Sequence, residues 1–286
     1  MRPRPRPIVA RPIPDLSSKL ILSLHARLSR DARGLFLAEG ARFLAQAIEH
    51  DAALAGIVIC PFRLNGSLLR ETVTRVERAG VPLLKVPTAE YRDLSPGSSG
   101  AGENAAAGQG VLLALRQRWE SLPDVVEPDH LWIGVESVRT PGNLGTLMRS
   151  GDAVGATGLV VFDRSEAGSP LGVDPYDPAA VRATMGSLFS HRLIRTTHRV
   201  FRRWPLRRAV TVYGGTPEGA VDYRVPDYRG PTLLMLGDER NGLSPGQRGT
   251  CDGFVRIPMV GAPDSLNLAM AGTLMLYETL NQRNPV

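Results

Sequence analysis

The stretch Ile257–Glu278, IPMVGAPDSLNLAMAGTLMLYE, decides how the C-terminal half of the chain is read. It leaves the end of a strand, crosses a short loop rich in Gly and Pro, and enters a helix that carries no charge before Glu278. A helix so poor in charge is expected to bury most of its surface. At its mouth stand Ser265 and Asn267, two neutral hydrogen-bonding side chains on a loop held by apolar elements. Such a loop is suited to presenting polar groups to a ligand.

Working outward, apolar strands alternate with helices from residue 130 onward. LWIGVES (131–137) is a buried strand, TPGN (140–143) a turn, and a helix runs from about Leu144 to Val154. Leu144, Leu147, Met148 and Val154 form its apolar stripe, with Arg149 on the far side. GLVVF (158–162), AVTVY (209–213), PTLLML (231–236) and FVRI (254–257) read as further strands. DPAAVRATMGSLFS (177–190) reads as a helix, and a short helix follows Ser244. This alternation predicts an α/β domain with a mostly parallel sheet covered on both faces. Sheets of that kind take ligands at the carboxyl ends of their strands.

The N-terminal part has its own pattern. Residues 1–14, MRPRPRPIVARPIP, form a disordered basic arm without the apolar core segment of a secretory signal. Residues 15–117 read as a small α/β domain. Its first helix carries Leu20, Ile21, Leu24 and Leu28, with Lys19, Arg27 and Arg30 off that stripe. A strand at Leu35, Phe36 and Leu37 precedes a second amphipathic helix beyond Gly40. IVIC (57–60), a helix near 67–79, a strand at 81–86 and VLLALRQ from 111 complete the domain. SPGSSGAGENAAAGQG (95–110) is a flexible loop, and 118–129, with Pro123 and Pro128, is a linker to the domain at 130–286.

At 286 residues, two domains are expected, and no stretch has the apolar length of a membrane span. Cys60 and Cys251 are isolated, which suggests neither a disulfide framework nor a metal site and fits a reducing cytoplasm. Net charge is +6, and the only lysines among 34 basic residues are Lys19 and Lys85. Arginine is the better phosphate fork, so an anionic partner is consistent with this bias. The basic run His191–Arg208 fits a structured RNA; a solvated helix face is the other reading.

Three loops that follow strands concentrate the polar chemistry. The first is Pro141–Thr146 leading to Arg149, the second Leu236–Ser244, and the third the stretch quoted at the outset. They can bring together Asn143, Arg149, Glu239, Ser265 and Asn267. Taken singly, each has a structural reading: Asn143 and Ser265 as helix N-caps, Arg149 as a solvated surface residue, Glu239 as an exposed turn residue, Asn267 as a back-bonding one.

In joint order and spacing, the three loops resemble the three motifs of the SpoU (TrmH-like) 2′-O-ribose RNA methyltransferases of the SPOUT class. The likeness spans about 130 to 283. The first domain, through FLAEGARFLAQAI, resembles an L30e/L7Ae-like RNA-binding domain, and YDPAAVRATMGSLFS looks like the ribosomal-RNA branch. The loop at 95–110 departs from the first-domain pattern, as do Asp238 and Arg240 beside Glu239 from the second motif. The resemblance implies a deep trefoil knot and S-adenosylmethionine as methyl donor, held by Leu236, Gly237, Ile257 and Leu266. It implies Arg149 as the central catalytic residue, with Asn143, Ser265 and Asn267 orienting the ribose and Glu239 positioning Arg149 or the knot. It further implies a cytoplasmic homodimer acting on 23S ribosomal RNA, with transfer RNA as the alternative substrate. A non-catalytic RNA-binding protein would have a broken motif, and here all five polar positions are present. No GxGxxG after a strand and no Walker sequence supports a Rossmann or P-loop enzyme.

Overall fold

Each of two units in the chain has its own sheet: Met1–Gln117 with Tyr176–Phe189, and Arg118–Pro175 with Ser190–Val286. The computed structural model describes residues 6–96, 108–163, 173–219, 221–261 and 265–284. Most of the loop at 95–110 lies outside the described residues.

In the first unit, α1 (Ser18–Ser23) starts at Ser17, whose hydroxyl accepts from the Leu20 N–H at 3.3 Å. The chain turns extended at Ala26 and restarts as α2 (Arg27–Arg33), ended by Gly34 in the left-handed conformation. That break corrects the apolar stripe read from sequence. Leu20, Ile21 and Leu24 are buried, but Leu28 falls on a separate helix and is 73% exposed. Arg30 is the converse case. Its side chain is buried, with Nη1 donating to the Leu24 and His25 carbonyls at 3.0 and 2.7 Å.

Strand β1 (Leu35–Glu39) leads to α3 (Ala41–Glu49), then β2 (Leu54–Ile59), α4 (Ser67–Arg78), β3 (Leu83–Lys85), α5 (Thr88–Leu94) and β4 (Val111–Arg116). The sheet order is β1-β4-β2-β3; β4 runs antiparallel to both neighbours, and β2 and β3 are parallel. Leu35, Leu37, Val58, Leu112 and Tyr91 pack into one core with Ile13, Ile21 and Leu24. The expectation of a disordered arm over 1–14 is corrected for its later part, because the Arg11 and Ile13 N–H groups donate to the Leu54 and Ala55 carbonyls at 2.8 and 3.1 Å and lay that segment along β2.

The second unit opens with β5 (Leu131–Val135), α6 (Pro141–Ala153) and β6 (Gly158–Asp163). The chain then supplies Tyr176–Phe189 to the first unit, including α7 (Pro178–Thr184) capped by Asp177. Tyr176 packs on Phe36 of β1 with ring centroids 4.7 Å apart. The sequence reads one helix to residue 190. The structure stops it at Met185, which is left-handed, before a short 3-10 turn at Ser187–Phe189.

Back in the second unit come β7 (Arg192–Thr197), α8 (His198–Arg203), β8 (Thr211–Gly215), β9 (Val221–Asp222), β10 (Thr232–Leu236), α9 (Pro245–Arg248), β11 (Gly253–Arg256) and α10 (Leu268–Arg283). The order is β7-β6-β5-β10-β8-β11-β9, and every neighbouring pair is parallel. Its core joins Trp132, Val160, Phe162, Val212, Leu233 and Met235. Strand β7 was not legible as a strand, because Arg192 and Arg195 interrupt its alternation. The structure sets their guanidinium groups over Trp132 and Trp119, 5.4 and 4.1 Å from the ring centroids.

Helix α10 packs its Gly272 face on α6 and β10. A Cβ at Gly272 would lie 2.5 Å from Leu147 Cδ1 and 2.8 Å from Leu236 Cδ1. The expectation of near-complete burial holds on that side only. Met270, Leu274 and Tyr277 are 63%, 41% and 49% exposed, one apolar stripe at i, i+4, i+7. Among the described residues no helix is long and apolar enough to cross a membrane.

Candidate active site

The loops at the carboxyl ends of β8, β10 and β11 enclose, with the start of α10, a cavity of about 350 Å³. That size falls at the lower end of the roughly 300–1,000 Å³ usual for small-molecule sites. Its walls include Leu236, Gly237, Ile257 and Leu266, together with Glu239 and Ser265. Val255, Leu268 and Met275 add apolar surface, while Thr216, Glu218, Asn241 and Arg248 add polar groups.

The loop after β10 is held in shape by its own backbone. Asp238 and Gly242 exchange two N–H to carbonyl bonds, each 2.9 Å, and Gly242 takes the positive φ of +62° that this return requires. The Asp238 carboxylate accepts from the Arg240 and Asn241 N–H groups at 3.0 Å each, the Ser137 hydroxyl at 3.0 Å and Arg139 Nε at 3.1 Å. Burial opposes ionisation of this carboxyl, but those donors outweigh it and bring its pKa down to about 2. The unfolded chain therefore binds the extra proton. The resulting stability is present above about pH 4 and is lost as pH falls toward 2.

A hydrogen-bond relay joins the three loops. Asn143 Nδ2 donates to Glu239 Oε1 at 3.1 Å, and Asn267 Nδ2 donates to Asn143 Oδ1 at 3.1 Å. Asn267 Oδ1 in turn accepts from the Ala269 and Met270 N–H groups at 2.9 and 3.3 Å. The Arg139 N–H closes the other end on Glu239 Oε2 at 3.3 Å. The structure thus corrects two capping assignments. Thr140 is the N-cap residue of α6, because Pro141 at the first helical position draws TPGN into the first turn. Asn143 lies inside the helix with its amide free to bridge. Asn267, not Ser265, caps α10.

Ser265 is exposed on the cavity wall. Arg149 projects from α6 as an exposed side chain outside the cavity lining and, among the described residues, makes no hydrogen bond or ion pair. Glu239 engages Asn143 and Arg139, not Arg149.

Other polar residues support the site without having been anticipated. Gln247, 2% exposed, donates through Nε2 to the Leu236 carbonyl at 2.8 Å and completes a capping box with Ser244. The Ser-x-x-Gln spacing at 244–247 was the available signal. The buried Glu136 carboxylate accepts the Ser244 hydroxyl and lies 2.8 Å from His198 Nε2, and His198 Nδ1 meets Thr250 Oγ1 at 2.9 Å. This network seats α9 beneath the loop; strand-end Glu136 gave no motif by which to find it.

A parallel sheet with a cavity at the carboxyl ends of three strands, and a polar relay across its loops, defines an α/β domain built to hold a small ligand beside a polar substrate. The chain belongs to the SpoU rRNA Methylase family, whose model matches residues 130–277. An MRM3-like substrate binding domain matches residues 18–100. The chain is 33% identical to the 23S rRNA (uridine(2479)-2′-O)-methyltransferase of Streptomyces viridochromogenes, over 90% of this chain and 86% of that protein. It is 27% identical to the 23S rRNA (guanosine-2′-O-)-methyltransferase RlmB of Ralstonia nicotianae, over 94% and 98% of the two chains. The crystal structure of an AdoMet-bound rRNA methyltransferase from Sinorhizobium meliloti superposes with a TM-score of 0.79 at 28% identity, covering 94% of this chain and 97% of that one.

Proposed function

We propose that this chain transfers a methyl group from S-adenosylmethionine to a ribose 2′-hydroxyl of RNA, with 23S ribosomal RNA as substrate. The observation that carries the reading is the Glu239–Asn143–Asn267 relay, which ties residues of all three loops together beside one cavity. The cavity suits the cofactor: Leu236, Ile257, Leu266 and Met275 offer apolar surface to an adenine and a thioether-like arm, and Gly237 admits close backbone approach. When bound, S-adenosylmethionine supplies an electrophilic methyl group on a sulfonium centre.

The chain's own residues supply the rest. Asn143 and Asn267 each spend one amide N–H in the relay and keep a second. Those N–H groups and the Ser265 hydroxyl orient the ribose. Glu239 fixes the relay. Arg149, permanently cationic, binds the adjoining phosphate, which takes the 2′-hydroxyl proton, and stabilises the negative charge left on the 2′-oxygen. Its exposure, and the lack of a partner for it among the described residues, support a guanidinium available to RNA. The C-terminal end threads an earlier loop as a trefoil knot, and residues 15–117 form an L30e/L7Ae-like domain that holds the RNA. Both cysteines are free, in keeping with a cytoplasmic protein.

Mapping 2′-O-methylation in cells with and without the protein tests the substrate. The expected result is one 23S position that loses its methyl group when the protein is removed. A change confined to transfer RNA would replace the substrate, and no change in either RNA would favour a binding-only protein. The relatives' names include both a uridine and a guanosine target, so base identity awaits that map.

The partner for the Met270, Leu274 and Tyr277 stripe is a second copy of the chain, which would bury all three residues. Leu274→Glu is expected to shift sedimentation from dimer to monomer. A wild-type chain that sediments as a monomer at micromolar concentration, on the order of 10 μM, would exclude this interface.

A further inference from the structure

The stretch His191–Arg208 contains seven arginines and no Asp or Glu. Six of those arginines fall into two sets. Arg192 pairs with Glu120 at 2.7 Å, Arg195 lies 3.9 Å from Asp163, and Arg207 binds Asp252 at 3.0 Å and the Thr250 carbonyl at 2.7 Å. These three hold the fold. Arg202, Arg203 and Arg208 are exposed, and among the described residues no carboxylate pairs with them.

The platform beneath them is fixed. Thr197 caps α8 by accepting from the Val200 N–H at 3.2 Å, Phe201 is buried, and the Trp204 indole donates to the Pro123 carbonyl at 3.1 Å. The platform also adjoins the cavity. A Cβ at Gly249 would stand 3.2 Å from Arg202 Nη1, and the preceding residue, Arg248, lines the cavity. Unpaired cationic side chains on a rigid surface that runs up to the rim of the site match the phosphate backbone of a polyanion too large for the cavity.

We infer that Arg202, Arg203 and Arg208 form an RNA-docking surface of the second unit, which grips phosphates flanking the target nucleotide. This rests on the methyltransferase reading above. Each phosphate neutralised releases counterions, so affinity should fall with salt by a log–log slope of roughly 0.7–0.9 per contact.

The test compares the full-length wild type with an Arg202→Gln/Arg203→Gln/Arg208→Gln variant, using a 23S rRNA fragment and filter binding from about 50 to 200 mM salt. The expected result is at least a roughly tenfold weaker Kd at the upper end, with the slope shallower by about 2. S-adenosylmethionine affinity and Tm should not change. An Arg224→Gln/Arg229→Gln variant is the control, since each of those arginines is already paired with its own aspartate, Asp222 or Asp227. It should bind RNA like the wild type. Equal Kd and slope for the triple variant, with wild-type RNA methylation intact, would overturn the docking surface alone. A wild type that neither binds nor methylates the fragment would overturn the functional reading beneath it.

Discussion

Arg149→Ala is expected to lower methyl transfer by at least about 10²–10³-fold, the cost of removing one preorganised stabiliser of transition-state charge. The protein should stay folded and keep its affinity for S-adenosylmethionine. The structural basis is the position of the side chain: exposed on α6, outside the cavity lining and without a hydrogen-bond or ionic partner among the described residues. Surface substitutions of that kind usually change stability by no more than about 0.5 kcal/mol. Negative charge builds on the ribose 2′-oxygen as its proton leaves, and a guanidinium that keeps its own proton would stabilise that charge electrostatically. Arg149→Lys retains the charge but not the planar fork, and turnover between the two extremes is expected. Single-turnover methylation with saturating cofactor, beside calorimetric titration of the cofactor, measures both quantities. Near-normal turnover in Arg149→Ala would remove this residue from the reaction.

Much of this site could be read from the sequence because its residues sit just beyond apolar runs. LWIGV and TLLML are buried strands, and the polar residues that follow them fall at the sheet's carboxyl end. What could not be read depends on partners distant in the chain. Asn143 has the sequence signature of a helix cap, and only the approach of Glu239 and Asn267, 96 and 124 residues away, turns it into a bridge. The wall at Gly215–Glu218 follows a strand with an ordinary sequence, and its place in the cavity comes from β8 lying between β10 and β11. Tyr176–Phe189 was assigned to the second domain by position; its aromatic contacts with Phe36 and Phe43 place it in the first unit. The run of arginines hid a strand for a related reason. Charge on the sequence looks like exposure, whereas tryptophans and carboxylates can cover it in the fold.

Gly237→Ala is expected to weaken S-adenosylmethionine binding by at least about 100-fold, on the order of 3 kcal/mol. The loop from Asp238 to Gly242 closes on itself through its paired backbone bonds and returns directly over residue 237. A methyl group at Gly237 would lie 2.3 Å from the Gly242 carbonyl carbon and 2.6 Å from the Leu243 nitrogen. Both are backbone atoms, so no rotamer change relieves the collision and the loop itself must move. That loop contributes Asp238, Glu239, Arg240 and Asn241 to the cavity wall, and Glu239 anchors the relay. One added carbon would thus displace both the wall proposed to hold the cofactor and the amides proposed to orient the ribose. Gly230→Ala separates this from a general cost of replacing glycine, because nothing lies within 4 Å of a Cβ there. Gly230→Ala should bind cofactor as the wild type does. Circular dichroism showing a folded Gly237→Ala protein, with calorimetry showing the lost affinity, would localise the damage to the loop; wild-type affinity in that variant would show that the loop does not form the cofactor wall.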